Sequence, residues 1–171
     1  MNESNSISTE LEPVSVSLTP EQRFEEFLQS RGMRNTEQRR NMLKVVFAQH
    51  DHFDAEQLIE RLPKKNEPGY VSRPTVYRTL TEFVEAGLLR KFELLGRFVY
   101  EHDYGYPQHD HFYCTKCENL IEFSNAPLIE IRNKLAEAYR FQIRSHQMTI
   151  SGICESCRKS RHRKRRPVDL I

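Results

Sequence analysis

Residues 72–95, SRPTVYRTLTEFVEAGLLRKFELL, contain the change of periodicity that decides the fold. Up to Gly87 the apolar residues recur at the spacing of one helix face, and Pro74 is typical of a first helical turn. After Gly87 the pattern becomes strand-like, and a turn at Gly96 leads into residues 98–101, FVYE. This stretch therefore predicts a helix followed by a β-hairpin.

Three shorter helices are predicted before this stretch, each from its own start signal. Thr19 begins the first helix, Thr36 begins the second, and Asp54 with Gln57 forms a capping box for the third. Helices followed by a hairpin predict a winged helix-turn-helix domain, in which the helix from Ser72 is the recognition helix.

The second half of the chain predicts a small α/β domain. Short strands are expected at residues 112–114 and 120–123, a helix at residues 126–139, and a strand at residues 141–150. The predicted fold class is therefore α+β, with an N-terminal winged helix-turn-helix domain followed by a small α/β domain.

The predicted domain organisation has five parts. Residues 1–18 are a disordered lead-in, residues 19–101 form the winged-helix domain, and residues 102–108 form a hinge. Residues 109–157 form the second domain, and residues 158–171 are a basic tail.

Charge divides the chain of 171 residues into regions of opposite sign. Residues 31–97 carry 13 basic groups against nine acidic ones, whereas residues 98–157 carry five against eight. This predicts that the first half binds a polyanion and the second half binds cations. No apolar run approaches the roughly 20 residues that cross a bilayer, and the first residues lack a signal peptide's features. We therefore expect no membrane association and a cytoplasmic protein.

All four cysteines fall in two CxxC pairs, and this spacing is typical of a closed tetrahedral Zn²⁺ site. Disulfides are disfavoured because thiols stay reduced in the expected compartment. A thioredoxin-like redox motif would use a single CxxC pair at a helix start. The predicted structural zinc ligands are Cys114, Cys117, Cys154 and Cys157.

A second group of metal-binding side chains precedes and follows the first CxxC pair. In a strand, His109 and His111 point to the same side, as chelation requires. Glu101, Glu122 and His52 extend this group. Imidazole and carboxylate ligands suit Fe²⁺, Mn²⁺, Zn²⁺ or Ni²⁺ rather than a soft ion. By contrast, residues 50 and 102, both histidines, are expected to be solvated.

These motifs resemble those of the ferric uptake regulator family, bacterial metal-dependent repressors, from about residue 20 to residue 157. The residues that carry the resemblance are GMRNTEQR (32–39), SRPTVYRTLTEFVEAGLL (72–89), HDHFYCTKC (109–117), ENLIEFS (118–124), SHQMTISGIC (145–154) and CESC (154–157). The resemblance implies a homodimer, a dimerisation role for the second domain, a structural four-cysteine zinc and a regulatory metal site between the domains.

Carried over by position, the regulatory site implied by the resemblance consists of His52, Glu101, His109, His111 and Glu122. Iron is favoured as Fe²⁺ because zinc sensors of the family often carry an additional cysteine, which this chain lacks. A peroxide sensor of the family places Asp at the two Glu positions. Zinc and manganese remain alternatives, since the metal supply of the cell also decides which ion binds.

The resemblance implies a less constant additional site that would include Asp110 and His146. There the sequence departs from the family pattern, because Gln108 replaces a histidine and the acidic position falls on Ile129, with Glu130 adjacent.

Double-stranded DNA with a palindromic, A·T-rich operator is the partner that the resemblance implies. Tyr77 offers its ring to a thymine methyl group, and Arg78 reaches phosphate or guanine. The full predicted set of DNA-binding residues is Arg34, Thr36, Arg39, Ser72, Arg73, Thr75, Tyr77 and Arg78. The basic residues 161–166 either add nonspecific attraction to phosphate or form a solubilising tail.

Two other classes of function compete with a regulator. A small metallohydrolase would use the His and Glu group as a catalytic centre, but the chain offers no convincing nucleophile motif and the helix at 72–89 would have no role. A metal-buffering protein would bind iron and ignore DNA. We therefore expect a protein that is not an enzyme.

Overall fold

The computed structural model describes residues 7–8 and 14–159 and divides the chain into two compact units. Within the described residues, the N-terminal unit runs from residue 14 to residue 107. The C-terminal unit runs from residue 108 to residue 159 and includes strand β1, Ile7–Ser8. Among these residues, no helix is both long and apolar enough to span a bilayer.

The N-terminal unit consists of four helices followed by a two-stranded hairpin, the order of a winged helix-turn-helix domain. The elements are α1 (Pro20–Ser30), α2 (Glu37–Phe47), α3 (Ala55–Arg61), α4 (Arg73–Glu85), β2 (Leu89–Leu94) and β3 (Arg97–His102). The predicted helix starts at Thr19, Thr36 and Asp54 are confirmed. Each of these side chains accepts a hydrogen bond from a backbone N–H of the first turn, which otherwise has no partner within the helix.

The apolar faces of the helices meet in one core. Phe24 on α1 and Phe83 on α4 pack edge to face, with ring centroids 4.8 Å apart. Leu28, Met42 and Leu80 from α1, α2 and α4 are completely buried in the same cluster. The helical spacing of these residues gives each short helix one apolar face, and burying those faces together stabilises helices too short to be stable alone.

A buried ion pair joins α2 to α4 beside this core. The guanidinium of Arg39 donates two hydrogen bonds to the carboxylate of Glu82, at 2.8 and 2.6 Å. Only 11% of the Arg39 side chain and 9% of the Glu82 side chain are exposed. Two parallel bonds of this kind fix the geometry of both helices, since a guanidinium fork matches a carboxylate.

The hairpin of β2 and β3 is the wing, and one residue before α3 pairs with it as a short bridge. Strands β2 and β3 are antiparallel, from Leu89 opposite His102 to Leu94 opposite Arg97. Phe53, just before α3, exchanges backbone hydrogen bonds of 3.1 and 2.8 Å with Tyr100 on β3. This bridge ties the segment before α3 to the wing.

The C-terminal unit is a four-stranded sheet with one long helix, in the strand order β1-β5-β4-β6. Strand β4 pairs antiparallel with β5 and parallel with β6. The elements are β4 (Asp110–Cys114), β5 (Leu120–Asn125), α5 (Ala126–Ala138), β6 (Thr149–Gly152) and α6 (Glu155–Lys159).

The prediction of a strand over residues 141–150 is wrong for most of its length. Only β6, Thr149–Gly152, is a strand, and residues 141–148 have no regular structure. The reason lies in the sheet: β4 has five residues and pairs with β6 from His111 opposite Thr149 to Cys114 opposite Gly152. A longer strand would have no partner for its backbone groups along this edge.

The predicted disordered lead-in, residues 1–18, is not uniformly without structure. Strand β1 pairs with β5, and the Val14 N–H donates to the Gly105 carbonyl at 2.8 Å. The carbonyl of Leu18 accepts from the Tyr104 hydroxyl at 3.1 Å. Backbone hydrogen bonds that the sequence pattern does not encode cause these exceptions. Residues 1–6 and 9–13, and residues 160–171 with most of the predicted basic tail, lie outside the described residues.

The C-terminal unit has little apolar core of its own. Among its described residues the buried apolar side chains are Tyr113, Cys114 and Phe123, and α5 buries none of its residues. Several large apolar side chains are instead exposed. They are Phe112, Ile121, Ile131, Leu135, Tyr139, Phe141, Ile150 and Ile153.

We predict that replacing Arg39 with Met lowers the free energy of unfolding of the N-terminal unit by about 3–5 kcal/mol, because the buried Glu82 carboxylate loses both hydrogen bonds to its closest cation. The Arg78 guanidinium, 4.0 Å from Glu82, is mostly exposed and does not replace them. The double replacement Arg39→Met with Glu82→Leu should recover most of this loss. Chemical denaturation followed by circular dichroism measures both effects.

The exposed pair Arg31 and Glu85, 3.5 Å apart, provides the matched control. Arg31→Met should cost less than about 1 kcal/mol, as exposed pairs do. Equal losses from Arg31→Met and Arg39→Met would contradict a structural role for the buried pair.

Candidate metal centres and nucleic-acid interface

The four cysteines lie together at one end of the sheet in the C-terminal unit. Their sulfur atoms are all within 4.8 Å of one another, and the Sγ atoms of Cys117 and Cys154 are 3.7 Å apart. Four sulfurs at 2.3 Å from one tetrahedral ion would be about 3.8 Å apart, so the cluster fits Zn²⁺. The parallel pairing of β4 with β6 produces this geometry, because it places Gly152 opposite Cys114 and brings the second CxxC pair beside the first.

Backbone hydrogen bonds favour the thiolate form of one cysteine in this cluster, the form that binds metal. Hydrogen bonds from the N–H groups of Cys154, Cys117 and Lys116 lower the pKa of the Cys114 thiol to about 6. The neighbouring thiol of Cys117, followed by desolvation, raises the pKa of Cys157 to about 12. Without a metal, the Cys157 thiol therefore keeps its proton. All four cysteines would become thiolates only when metal binding displaces their protons.

Three nitrogen and oxygen ligands lie together at the other end of β4. His109, His111 and Glu122 each offer one ligand atom within 4.8 Å of the others. The Nε2 atom of His109 is 3.8 Å from a Glu122 carboxylate oxygen, and His111 is directly opposite Glu122 in the β4–β5 register. Both imidazoles are almost completely buried. Alternation along the strand places the two histidines on one face, as the sequence predicts.

The N-terminal unit holds the other two predicted regulatory ligands next to each other. The Nε2 atom of His52 is 3.1 Å from a Glu101 carboxylate oxygen. The Phe53–Tyr100 bridge explains this proximity, because His52 and Glu101 are the chain neighbours of the bridged residues. The guanidinium of Arg90 lies 3.5 Å from the other Glu101 oxygen. Glu101 is buried, so its charge acts in a poorly hydrated environment.

Two of the three residues predicted for the additional site lie close together. The Nδ1 atom of His146 is 3.8 Å from an Asp110 carboxylate oxygen, and the Met148 N–H donates to that same oxygen. Glu130 is exposed on α5 and lies 4.0 Å from the Lys134 ammonium group. In the part of the chain that the structure describes, these residues form no cluster of three metal ligands.

The predicted DNA-contacting residues of α4 lie mostly at the surface. Arg73, Tyr77 and Arg78 are exposed, whereas Ser72 and Thr75 are half-buried with their hydroxyl groups 2.9 Å apart. The side chain of Ser72, the N-cap residue of α4, makes no hydrogen bond to the backbone N–H groups of the first turn. Recognition helices contact base edges in the major groove through exposed side chains near the helix start, and α4 exposes aromatic and basic groups there.

The predicted contacts near the start of α2 differ in their surroundings. Arg34 is exposed, and its carbonyl accepts a hydrogen bond from the Arg39 guanidinium. Thr36 uses its hydroxyl oxygen to cap α2. Arg39 is held by Glu82, as described above, so its guanidinium has a structural partner independent of DNA.

The expectation that both remaining histidines are solvated is correct for His50 and wrong for His102. His50 is exposed, but only 6% of His102 is accessible. The Nε2 atom of His102 lies 3.0 Å from the Val46 carbonyl, and its ring stacks on Phe47. Burial lowers the pKa of His102. The sequence does not predict the burial of His102, which is the last residue of β3, because the first residues of this strand are exposed.

Glu56 is a residue at this surface that the sequence patterns do not single out. Its carboxylate accepts hydrogen bonds from the Arg73 guanidinium and from the Tyr77 hydroxyl, the latter at 2.9 Å. The partners are 17 and 21 residues away in sequence, so only the packing of α3 against α4 brings them together.

Comparison with known proteins gives a consistent result. Residues 30–151 match the model of the ferric uptake regulator family. The ferric uptake regulation protein of Synechococcus elongatus is 34% identical over 136 residues, which cover 78% of this chain and 91% of that protein.

Solved structures with bound metals have the same fold. The ferric uptake regulator of Francisella tularensis, solved with iron, has a TM-score of 0.64 at 26% identity, over 74% of this chain and 96% of that one. A zinc-bound manganese uptake regulator has a TM-score of 0.55 at 31% identity, over 77% and 98%. The chain therefore belongs to the ferric uptake regulator family, whose members are metal-responsive transcription regulators.

Proposed function

We propose that this protein is a cytoplasmic, Fe²⁺-dependent repressor that binds operator DNA as a homodimer. The observation that carries the proposal is the cluster of His109, His111 and Glu122, in which both imidazoles are buried. It lies in a different unit from α4, the proposed recognition helix, which exposes basic and aromatic side chains. A chain with this cluster and that helix can make DNA binding depend on a metal ion.

In this proposal, the four cysteines hold a structural Zn²⁺. Their spacing, the 3.7 Å separation between two of the sulfur atoms and the low pKa of the Cys114 thiol support a closed thiolate site. A zinc held by four cysteines would supply structure and no chemistry. It ties the start of the C-terminal unit to its end.

The regulatory Fe²⁺ would be held by His109, His111 and Glu122 together with His52 and Glu101 from the N-terminal unit. Three imidazoles and two carboxylates are the ligands that suit a borderline divalent cation. The ion would also neutralise the charge of the buried Glu101 carboxylate. Because the ligands come from both units, the bound ion would restrict how the two units move relative to each other.

Operator recognition follows from the exposed residues of α4. The exposed Tyr77 ring would make apolar contact with a thymine methyl group, and Arg78 would contact a phosphate or a guanine edge. Arg34 adds positive charge beside the helix start. A homodimer presents two such helices, so a palindromic operator, here proposed to be A·T-rich, matches its symmetry.

The homodimer is supported by the apolar surface of the C-terminal unit. A groove of about 560 Å³ lies along α5, lined by residues that include Leu128, Leu135, Phe141 and Met148. More than half of the Leu135 side chain is exposed. Monomeric proteins rarely expose contiguous apolar surface of this kind, and a second copy of the chain would bury it.

Metal and operator would then be coupled. If Fe²⁺ favours the arrangement of units in which both recognition helices fit the operator, the operator must tighten Fe²⁺ binding by the same factor. Manganese or zinc sensing is the alternative, favoured by the similarity to a zinc-bound manganese uptake regulator. The ligand set is compatible with all three ions.

Removal of the cysteine site tests the structural role of zinc. We predict that Cys154→Ser with Cys157→Ser loses one zinc equivalent per chain, the secondary structure of the C-terminal unit and the dimer. Zinc analysis, circular dichroism and sedimentation measure these losses. A variant that lost its zinc but stayed folded and dimeric would contradict the structural role.

Removal of the regulatory ligands tests the proposed function. In anaerobic fluorescence anisotropy at fixed salt, Fe²⁺ should tighten operator binding by the zinc-loaded protein by about 5- to 150-fold, the usual range of allosteric coupling. His109→Ala with His111→Ala should abolish this response and leave metal-free binding unchanged.

The matched control is His50→Ala, which removes an exposed imidazole outside the ligand set and should keep the response. A response to Mn²⁺ or Zn²⁺ alone would change the sensed metal. Iron binding without any effect on DNA would favour metal buffering and contradict the proposal.

A further inference from the structure

An exposed carboxylate lies within the surface proposed to bind DNA. Glu56 is in the first turn of α3, and its carboxylate oxygen accepts hydrogen bonds from Arg73 and Tyr77, which are one turn apart on α4. More than half of both the Glu56 and the Arg73 side chains is exposed. A negative charge at this position repels DNA phosphates, so its presence needs an explanation.

Stability does not provide that explanation. Exposed ion pairs contribute little to folding, and α3 and α4 already pack through buried residues such as Leu58 and Val76. The pairing instead determines which groups of α4 are available to DNA. Arg73, a cation at the first position of the helix, is neutralised by Glu56, and the Tyr77 hydroxyl is held by the same oxygen.

We propose that Glu56 is a specificity-determining residue that holds Arg73 and Tyr77 in place and suppresses binding to DNA of the wrong sequence. This inference rests on the proposed DNA-binding function. Nonspecific affinity comes from cations that contact phosphates, and an arginine paired with Glu56 contributes less to it. The Tyr77 ring, anchored through its hydroxyl, stays oriented for a base edge.

The ionisation of Glu56 supports this role at neutral pH. The hydrogen bond from Arg73, and then that from Tyr77, lowers the pKa of the Glu56 carboxyl below its ordinary value. The carboxylate therefore stays charged throughout the physiological range, and its repulsion of phosphate is constant.

The test compares Glu56→Gln with wild type in the full-length, zinc-loaded protein with Fe²⁺ under anaerobic conditions. Two duplexes serve as probes: one that the wild-type protein enriches from a randomised pool, and a scrambled duplex of equal composition. Anisotropy gives the dissociation constant of each duplex over a series of salt concentrations. Glu60→Gln, which removes an exposed carboxylate from the same helix, is the matched control.

For Glu56→Gln, we expect the scrambled duplex to bind about five- to tenfold more tightly. The slope of log affinity against log salt should steepen by about 0.9, the value for one additional phosphate contact. Binding of the enriched duplex should change by a smaller factor, and Glu60→Gln should change neither slope nor ratio.

Equal changes for both duplexes, an unchanged salt slope, or the same effect from Glu60→Gln would overturn the inference. A wild-type protein that enriches no duplex would instead contradict the proposed function, and the inference with it. Thermal unfolding of each variant identifies any loss of fold.

Discussion

The shortage of apolar core in the C-terminal unit is the constraint on which the rest of the structure depends. The described part of this unit buries few apolar side chains, while α5 exposes Ile131 and Leu135, and Tyr139 directly after it is also exposed. A unit of this size cannot offset its conformational entropy with so little burial. In the proposed function, two other sources would supply the missing stability: a cation among the four cysteines and a second copy of the chain along α5. Both follow from the proposed function.

Strand β4 connects these sources of stability to metal sensing. Its last residue, Cys114, belongs to the cysteine cluster, and His109 and His111 lie at its other end. A cation at the cysteines would fix the register of β4 against β6, and the pairing of β4 with β5 places His111 opposite Glu122. In the proposed function, one short strand therefore links the soft ligands of the structural site to the harder ligands of the regulatory site, so that each site favours a different metal.

The features that local chemistry determines could be predicted from the sequence. The capping residues Thr19 and Asp54 and the wing follow from spacing within short segments. The four cysteines could be grouped from their two CxxC spacings, although the pairing of β4 with β6 is what brings the pairs together. The start of the last strand could not be predicted, because its pairing with the short strand β4 determines it. Nor could the burial of His102, which depends on distant packing.

The same limit applies to the DNA-binding surface. The basic and aromatic residues of α4 can be identified from their spacing, but their partners cannot. Glu82, which holds Arg39, and Glu56, which holds Arg73, come from other helices. Whether an arginine is available to DNA therefore depends on packing between helices, and its residue type alone does not determine it.

Reciprocal coupling tests the central claim most directly. The dissociation constant of Fe²⁺ should be measured anaerobically on the zinc-loaded dimer, with and without a saturating amount of the duplex that the protein enriches. The account predicts that the duplex tightens Fe²⁺ binding by the same factor by which Fe²⁺ tightens duplex binding. An Fe²⁺ affinity that is identical with and without the duplex would contradict it.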